Sequence, residues 1–304
     1  MNFAFSQQNI PLSKDQVTDL YTKLYATSEI SAMGWNGNVE KCRCGSVQKD
    51  IFEKAENRIN FFRLVNGLQK VKHNAAFDQE AQDAALLIKA SNQLTHHPVD
   101  SLKCYNQSAA DGCLKSCLAF TDFVNYPRTA FITGFIWDFG DENYFVGHRK
   151  WLLYSRLISF GYGATDISET VHVSDGATFD TLTQPEFIAY PWHGYVPVDL
   201  IFAKWSFAIP EGNTVDFSNT TVTMLDYKGQ EIKLKVLEEY PDYLDPTIVW
   251  TALGLFTDYE ISYGINKMAE NGFLNRKIKV YIRNVLVNGK LRTYEYFVEP
   301  IRVQ

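Results

Sequence analysis

Two histidine-bearing segments are the parts of this sequence best suited to chemistry. His96 follows an alanine-rich stretch, and His148 lies in the run Gly-His-Arg-Lys-Trp, a short distance after Asp138. Neutral imidazoles can ligate a transition metal such as zinc, with a carboxylate as a further ligand or as the group that orients a histidine. Without a metal, a histidine beside a carboxylate can act as a general base near neutral pH. His96, Asp138 and His148 are therefore the candidate ligand-binding and metal-ligating residues.

The same residues also have ordinary structural interpretations. His96 could cap the C-terminal end of the preceding helix, where a positive charge is favoured. His148 could be a hydrogen-bonding residue beneath Trp151. Spacing does not decide between these interpretations, because only the fold can bring the two histidines together. The histidines that we assign to the surface or to strands, without acidic or cysteine neighbours at ligand spacing, are His73, His97, His172 and His193.

Composition and charge exclude several classes of function. The chain has 304 residues, 46% of them hydrophobic and 21% charged, which is typical of a folded protein. A net charge of -6 makes nucleic acid an unfavourable partner. No apolar run approaches the roughly 20 residues of a membrane-spanning helix. We find no Gly-x-Ser-x-Gly nucleophile motif and no glycine-rich phosphate-binding loop.

Apolar periodicity predicts the helices that must position the histidines. Apolar residues recur every three or four positions over 51–68. A second helix is predicted over 78–94, and its alanine face implies close approach to another element. Pro98 should end that helix at His96 and His97. A third helix is expected around the apolar stripe Ile132, Phe135, Ile136 and Phe139, and a fourth over 147–153.

Strand patterns account for the rest of the chain. Strands are predicted over 157–162 and 170–173, and from about Pro185 onwards strands alternate with turn signals, without a helix. Asn288-Gly289 is a strong hairpin signal. The predicted class is α+β, with an extension (1–45), a helical domain (46–185) and an all-β domain (186–304), most simply an immunoglobulin-like sandwich.

The cysteines indicate the redox conditions of the compartment in which the protein folds. All five lie in the first 120 residues, and we expect Cys42 or Cys44 to bridge to one of Cys104, Cys113 and Cys117. Cys113 and Cys117 should not pair with each other if their segment is helical. Free buried thiols or a zinc site are the alternatives, although the spacing lacks the usual Cys-x2-Cys pairs. A disulfide requires an oxidising compartment. The first residues do not resemble a secretory signal, so secretion would require that a signal had been removed.

Several of these segments resemble the CAP superfamily (SCP-like, cysteine-rich secretory and pathogenesis-related proteins), particularly its bacterial secreted branch. The similarity covers roughly 50–175 and includes Leu94-Thr95-His96, Asp138-Phe139-Gly140 and the stretch from Gly147 to Leu153. The resemblance implies an α/β/α sandwich with a shallow cavity that holds two histidines and two acids. His96, His148 and Asp138 fall on three of these positions. The second acid has no counterpart unless Asp111 replaces it.

The resemblance leaves several functions open, because sterol or lipid binding, metal binding and peptidase activity are all attributed to this superfamily. Our leading hypothesis is a secreted or cell-surface protein that binds a small-molecule, lipid or peptide ligand, or a divalent metal such as zinc, in the His/His/Asp cleft. One alternative is a metal-dependent hydrolase, a peptidase, that uses the same residues. Another is an adhesion or scaffold protein with a vestigial cleft. The missing second acid favours binding.

Overall fold

Helices and sheets both contribute to the architecture. The computed structural model describes residues 10–124, 130–180, 182–237, 243–253, 255 and 267–303. The helices of these residues are α1 (Lys14–Leu20), α2 (Asp50–Val65), α3 (Asp78–Ser91), α4 (Gln107–Lys115), α5 (Thr133–Trp137), α6 (Gly147–Leu152) and α7 (Lys267–Glu270). The strands are β1 (Lys72–His73), β2 (Ser116–Phe120), β3 (Ser159–Ala164), β4 (Ser168–His172), β5 (Ile188–Tyr190), β6 (Gly194–Pro197), β7 (Lys204–Ala208), β8 (Val215–Asp216), β9 (Thr221–Leu225), β10 (Glu231–Ile232), β11 (Leu234–Val236), β12 (Thr247–Ala252), β13 (Ile278–Val287) and β14 (Lys290–Ile301). The predicted α+β class is confirmed.

The first sheet lies between two groups of helices. Its strand order is β1-β3-β4-β2, with β1 parallel to β3 and the other pairs antiparallel. Successive residues of a strand point to opposite faces. Cys117 of β2 therefore packs in one cluster with α2 and α5, whereas Leu118 packs in another with α3 and α4. Helices cover both faces of this sheet.

Helix α3 lies unusually close to strand β3. Its alanines at 81, 84 and 85 are fully buried, as expected for a face of small residues. A Cβ atom added to Gly163 of β3 would lie only 2.3 Å from the backbone nitrogen of Gln82. The alanine face and the glycine together allow this approach, and the prediction of close packing is confirmed.

Substituting Gly163 with Ala should destabilise the protein by about 2 kcal/mol, because the added methyl group meets backbone atoms that cannot rotate away. Urea denaturation at neutral pH measures this loss as a lower transition midpoint. A urea transition midpoint equal to that of the wild type would show that α3 and β3 can move apart without a loss of folding free energy.

Two further sheets form the C-terminal half. One has the order β10-β9-β13-β14-β6, with β8 also on β13, and the other has the order β11-β12-β7-β5. Side chains from the two sheets meet: the Trp250 indole donates to the Met224 sulfur at 3.1 Å, and the rings of Phe207 and Tyr294 lie 5.0 Å apart. The predicted hairpin at Asn288-Gly289 joins β13 to β14, with positive φ at both residues. These features fit a β-sandwich.

Several predicted boundaries were wrong. Helix α3 ends at Ser91 rather than Leu94, because Asn92 adopts the left-handed conformation that terminates helices. Helix α5 ends at Trp137, so Phe139, predicted in its buried stripe, is 50% exposed. The short helix α7 lies in the half where we predicted none.

The segment that bears Cys113 and Cys117 consists of a helix followed by a strand. Asn106 caps α4 by accepting a hydrogen bond from the Ala109 N–H, so Cys113 is helical and Cys117 follows on β2. The disulfide joins Cys42 to Cys104, which confirms a bridge between the N-terminal extension and one of the three later cysteines. The other three cysteines are free.

The two halves share one continuous cluster of buried side chains. It includes Phe61 of α2 and Trp192, whose rings meet edge to face at 5.7 Å. The buried Asp245 accepts hydrogen bonds from the backbone and hydroxyl of Ser155. The division at residue 185 stays a prediction. Among the described helices, none combines the length and the apolar character needed to cross a membrane.

Candidate functional site

His96 and His148 line the same cavity, which has a volume of about 710 Å³. The loop after α3 supplies His96, the start of α6 supplies His148, and α5 and β4 contribute further walls. The structure therefore brings together two residues that lie far apart in the sequence. Their shared position gives the functional interpretation of both histidines a structural basis.

Asp138 holds His148 in place from behind the cavity wall. One carboxylate oxygen accepts a hydrogen bond from His148 Nδ1 at 2.7 Å, and the other accepts from the Arg149 backbone N–H at 2.9 Å. The Asp138 side chain is fully buried. Its left-handed backbone conformation ends α5 and directs the chain towards the loop before α6. Because both oxygens are engaged, Asp138 orients His148 instead of offering a free oxygen to a ligand.

Arg149 anchors this arrangement to the core. Its guanidinium donates to the carbonyl oxygens of Ile136 and Trp137 at the end of α5, and to that of Lys204 in β7. It also lies over the Tyr190 ring, 4.3 Å from the ring centre. Within the Gly-His-Arg-x-Trp stretch, His148 thus faces the cavity. The adjacent Arg149, in α6, links α5 to strand β7 through hydrogen bonds.

In both His96 and His148, the Nδ1 atom lies at hydrogen-bond distance from an acceptor oxygen. His96 Nδ1 lies 2.7 Å from the carbonyl oxygen of Cys113, as His148 Nδ1 does from Asp138. A carbonyl or an ionised carboxylate can only accept a hydrogen bond, so each Nδ1 carries the proton. In the neutral ring the Nε2 atom is then the one with a lone pair, available to a metal or to a hydrogen-bond donor.

Glu169 of β4 is a cavity residue that the sequence analysis missed. It is only 2% exposed, and its Oε1 atom accepts hydrogen bonds from the Tyr162 hydroxyl at 2.8 Å and from the Ile132 N–H at 3.1 Å. Burial raises the pKa of Glu169 to about 7, against the lowering effect of those hydrogen bonds. The sequence alone gave no signal for Glu169, because its burial is visible only in the structure. Asp111, the suggested second acid, is instead bonded to Gln107 on α4 and is not among the described residues that line the cavity.

Exposed apolar side chains form part of the cavity lining. Leu94, Phe120 and Phe139 line the cavity and are 47%, 43% and 50% exposed, respectively. Large exposed apolar groups at a concave site indicate contact with an apolar partner. A ligand here would meet polar nitrogen atoms and apolar walls together.

Among the described residues, the three metal-ligating side chains that lie close together are a different set from His96, Asp138 and His148. Glu80, His172 and Asp175 have ligating atoms that all lie within 4.8 Å of one another. His172 lies 3.6 Å from Glu80 and 3.1 Å from Asp175, so its assignment as a residue without acidic neighbours was wrong, whereas its assignment to a strand is confirmed. Asp175 follows His172 by three residues, and Glu80 is distant in the chain, so sequence spacing alone does not indicate this group.

Comparison with known protein families finds no family model that matches this chain, and no curated protein is similar to it. The fold and the cavity therefore define it only as a mixed α+β protein with a two-histidine cavity.

Proposed function

We propose that this protein binds a small ligand in the cavity, at the Nε2 atoms of His96 and His148. The observation that supports this function is the matching placement of protons. Each Nδ1–H is held by an oxygen, at Cys113 and at Asp138, so in the neutral rings both lone pairs lie on Nε2. The complementary ligand carries a hydrogen-bond donor or is a divalent metal such as zinc.

The aromatic lining of the cavity indicates which class of ligand it would bind. Aromatic residues make up much of the cavity surface, and the His148 ring itself packs on Phe135 at 5.3 Å. An apolar group gains free energy by leaving water for such walls, whereas a bare polar ion gains nothing from them. We therefore propose an organic ligand with an aromatic or aliphatic part and a donor group.

The replacement His148→Ala should weaken ligand binding at least tenfold while leaving the fold intact, because His148 is partly exposed and carries little of the core packing. Nuclear magnetic resonance observed on the ligand, with a panel of aromatic amides and alcohols, measures organic binding. Calorimetric titration with zinc measures metal binding. His97→Ala is the matched control, since His97 is an exposed neighbour of His96 that does not line the cavity.

The outcomes separate the hypotheses. Equal binding of an organic probe by wild type and His148→Ala would place that probe outside the cavity and contradict the proposal. Zinc binding that is lost in His148→Ala would identify a metal site. Absence of all binding would favour the adhesion or scaffold alternative. Unfolding of the variant would support a purely structural His148.

A metal-dependent hydrolase is the second candidate, and Glu169 is the observation that favours it. An acid with a pKa near 7 can take up and release a proton under working conditions. Zinc, when bound, would supply a Lewis acid. In that case peptide hydrolysis should require zinc and should be lost in both His148→Ala and Glu169→Gln.

Membership of the CAP superfamily and secretion are part of the same proposal. The order of helices and strands around the first sheet supports the resemblance, as do the shared cavity of His96 and His148 and the hydrogen bond from His148 to Asp138. The Cys42–Cys104 disulfide supports an oxidising compartment, because such bonds are rare in the cytosol. An immunoglobulin-like topology for the C-terminal sheets also remains a proposal.

A further inference from the structure

A second group of polar side chains lies on the other face of the first sheet. His172 ends β4, and it faces α3 and α4, because successive strand residues alternate and Glu169 points towards the cavity. Around His172 are Glu80 of α3, Lys115 at the end of α4, and Asp175. This cluster is separate from the two-histidine cavity.

The His172 ring has one nitrogen without a hydrogen-bond partner. Nε2 lies 3.1 Å from an Asp175 carboxylate oxygen, which can only accept, so Nε2 carries the proton. Nδ1 is then the atom with the lone pair, and it has no hydrogen-bond partner although it is buried. It faces the Glu80 carboxylate, with 3.6 Å between Nδ1 and Oε2. Two electron-rich atoms facing each other repel, so a cation between them would stabilise the pair.

The separation of these atoms suits a metal ion. Zinc binds histidine nitrogen and carboxylate oxygen at about 2.0–2.2 Å, and tetrahedral geometry then separates two ligands by about 3.3 Å. The 3.6 Å between Nδ1 and Glu80 requires only a small opening of that angle. Asp175, which accepts the hydrogen bond from Nε2, also has an oxygen within 4.8 Å of a Glu80 oxygen and of a His172 ring nitrogen. Its side chain is 46% exposed, so an ion can enter from solvent.

Lys115 occupies the position of a cation in this cluster. Its ammonium group lies 3.1 Å from the Glu80 oxygen that faces His172 and 3.1 Å from an Asp175 oxygen. A lysine at the end of a flexible side chain can withdraw when a doubly charged ion arrives. Two ionised carboxylates and a neutral imidazole together carry two negative charges, which a divalent cation would balance.

We propose that Glu80, His172 and Asp175 form a binding site for a divalent transition metal such as zinc, with Lys115 as the cation that the metal displaces. Imidazole and carboxylate together are a ligand set that zinc accepts. The site would tie α3 and α4 to the end of β4.

The variant Lys115→Met should bind zinc about tenfold or more tightly than the wild type, because the competing positive charge is removed while the volume is kept. Calorimetric titration of the full chain with zinc alone, at fixed pH, measures the affinity. Adding Asp175→Asn to Lys115→Met should reverse the gain. Lys103→Met is the matched control, since Lys103 pairs with Glu40 at 2.8 Å, away from this cluster. The zinc affinity of Lys103→Met should equal that of the wild type.

Further measurements separate this site from the cavity. His148→Ala should leave the gain produced by Lys115→Met unchanged, and zinc should shift the ring nitrogen resonances of His172. Equal zinc affinity in Lys115→Met and wild type would overturn the proposal. So would a gain that persists with Asp175→Asn or disappears with His148→Ala.

Discussion

Replacing Arg149 with Met is expected to lower the free energy of unfolding by about 4 kcal/mol. Methionine fills much of the same volume but cannot donate hydrogen bonds, so the carbonyl oxygens of Ile136, Trp137 and Lys204 lose their donor inside the protein. A buried acceptor without a donor loses its interaction with water and gains nothing in exchange. Urea denaturation at neutral pH measures the change.

The control for this substitution is Arg43→Met. Arg43 is exposed and donates to the Asn36 carbonyl at 3.1 Å, so its removal should change stability by less than about 0.5 kcal/mol. If Arg149→Met does not fold, Arg149→Lys keeps part of the donor set and allows a measurement. A loss below about 1 kcal/mol in Arg149→Met would show that the guanidinium does not anchor α5.

Glu169→Gln should remove a pH-dependent contribution to stability of about 3 kcal/mol. The pKa of Glu169 is raised to about 7 in the folded protein, whereas the unfolded chain has the ordinary value of 4.5. The folded state therefore binds the proton more tightly. Its contribution to stability is complete below the unfolded pKa and is lost as pH rises towards the folded pKa.

Unfolding free energies measured between pH 4.5 and pH 8 test this expectation. The wild type should lose stability relative to Glu169→Gln over that range, with little further change above pH 8. Asp245, whose pKa burial raises to about 6, is present in both proteins, so its effect cancels. The exposed cavity residue Glu142 provides the control Glu142→Gln, which should follow the wild type. Parallel curves for wild type and Glu169→Gln would contradict a buried, proton-binding Glu169.

The local sequence patterns predicted which segments form helices more accurately than they predicted where those helices end. The apolar stripe after Ile51 and the alanine face of α3 identified their helices, because burial of one face is visible in the spacing of residue types. The ends depended on single backbone conformations, such as the left-handed Asn92, which composition does not reveal. Helix α4 was missed because its stability comes from the Asn106 cap and from packing on α3.

The candidate site was predictable in part for similar reasons. His148 and Asp138 are close in sequence, and their types suggested a pair, which the hydrogen bond between them confirms. His96 reaches the same cavity only through tertiary structure, so the family resemblance was needed to connect it. Glu169 and the pair of His172 with Glu80 were missed, because burial and long-range contact create their chemistry.

The attachments of Asp138 and Arg149 to β7 bear on how such a protein can evolve. The Lys204 ammonium donates to the backbone oxygens of Asp138 and Gly140, and the Ser206 hydroxyl accepts from Arg149. A gene segment ending near residue 185 would encode both cavity histidines without the strand that supports one of them. Recombination that moved the helical half alone would therefore transfer the ligand contacts without their support, and selection should favour inheritance of the two halves together.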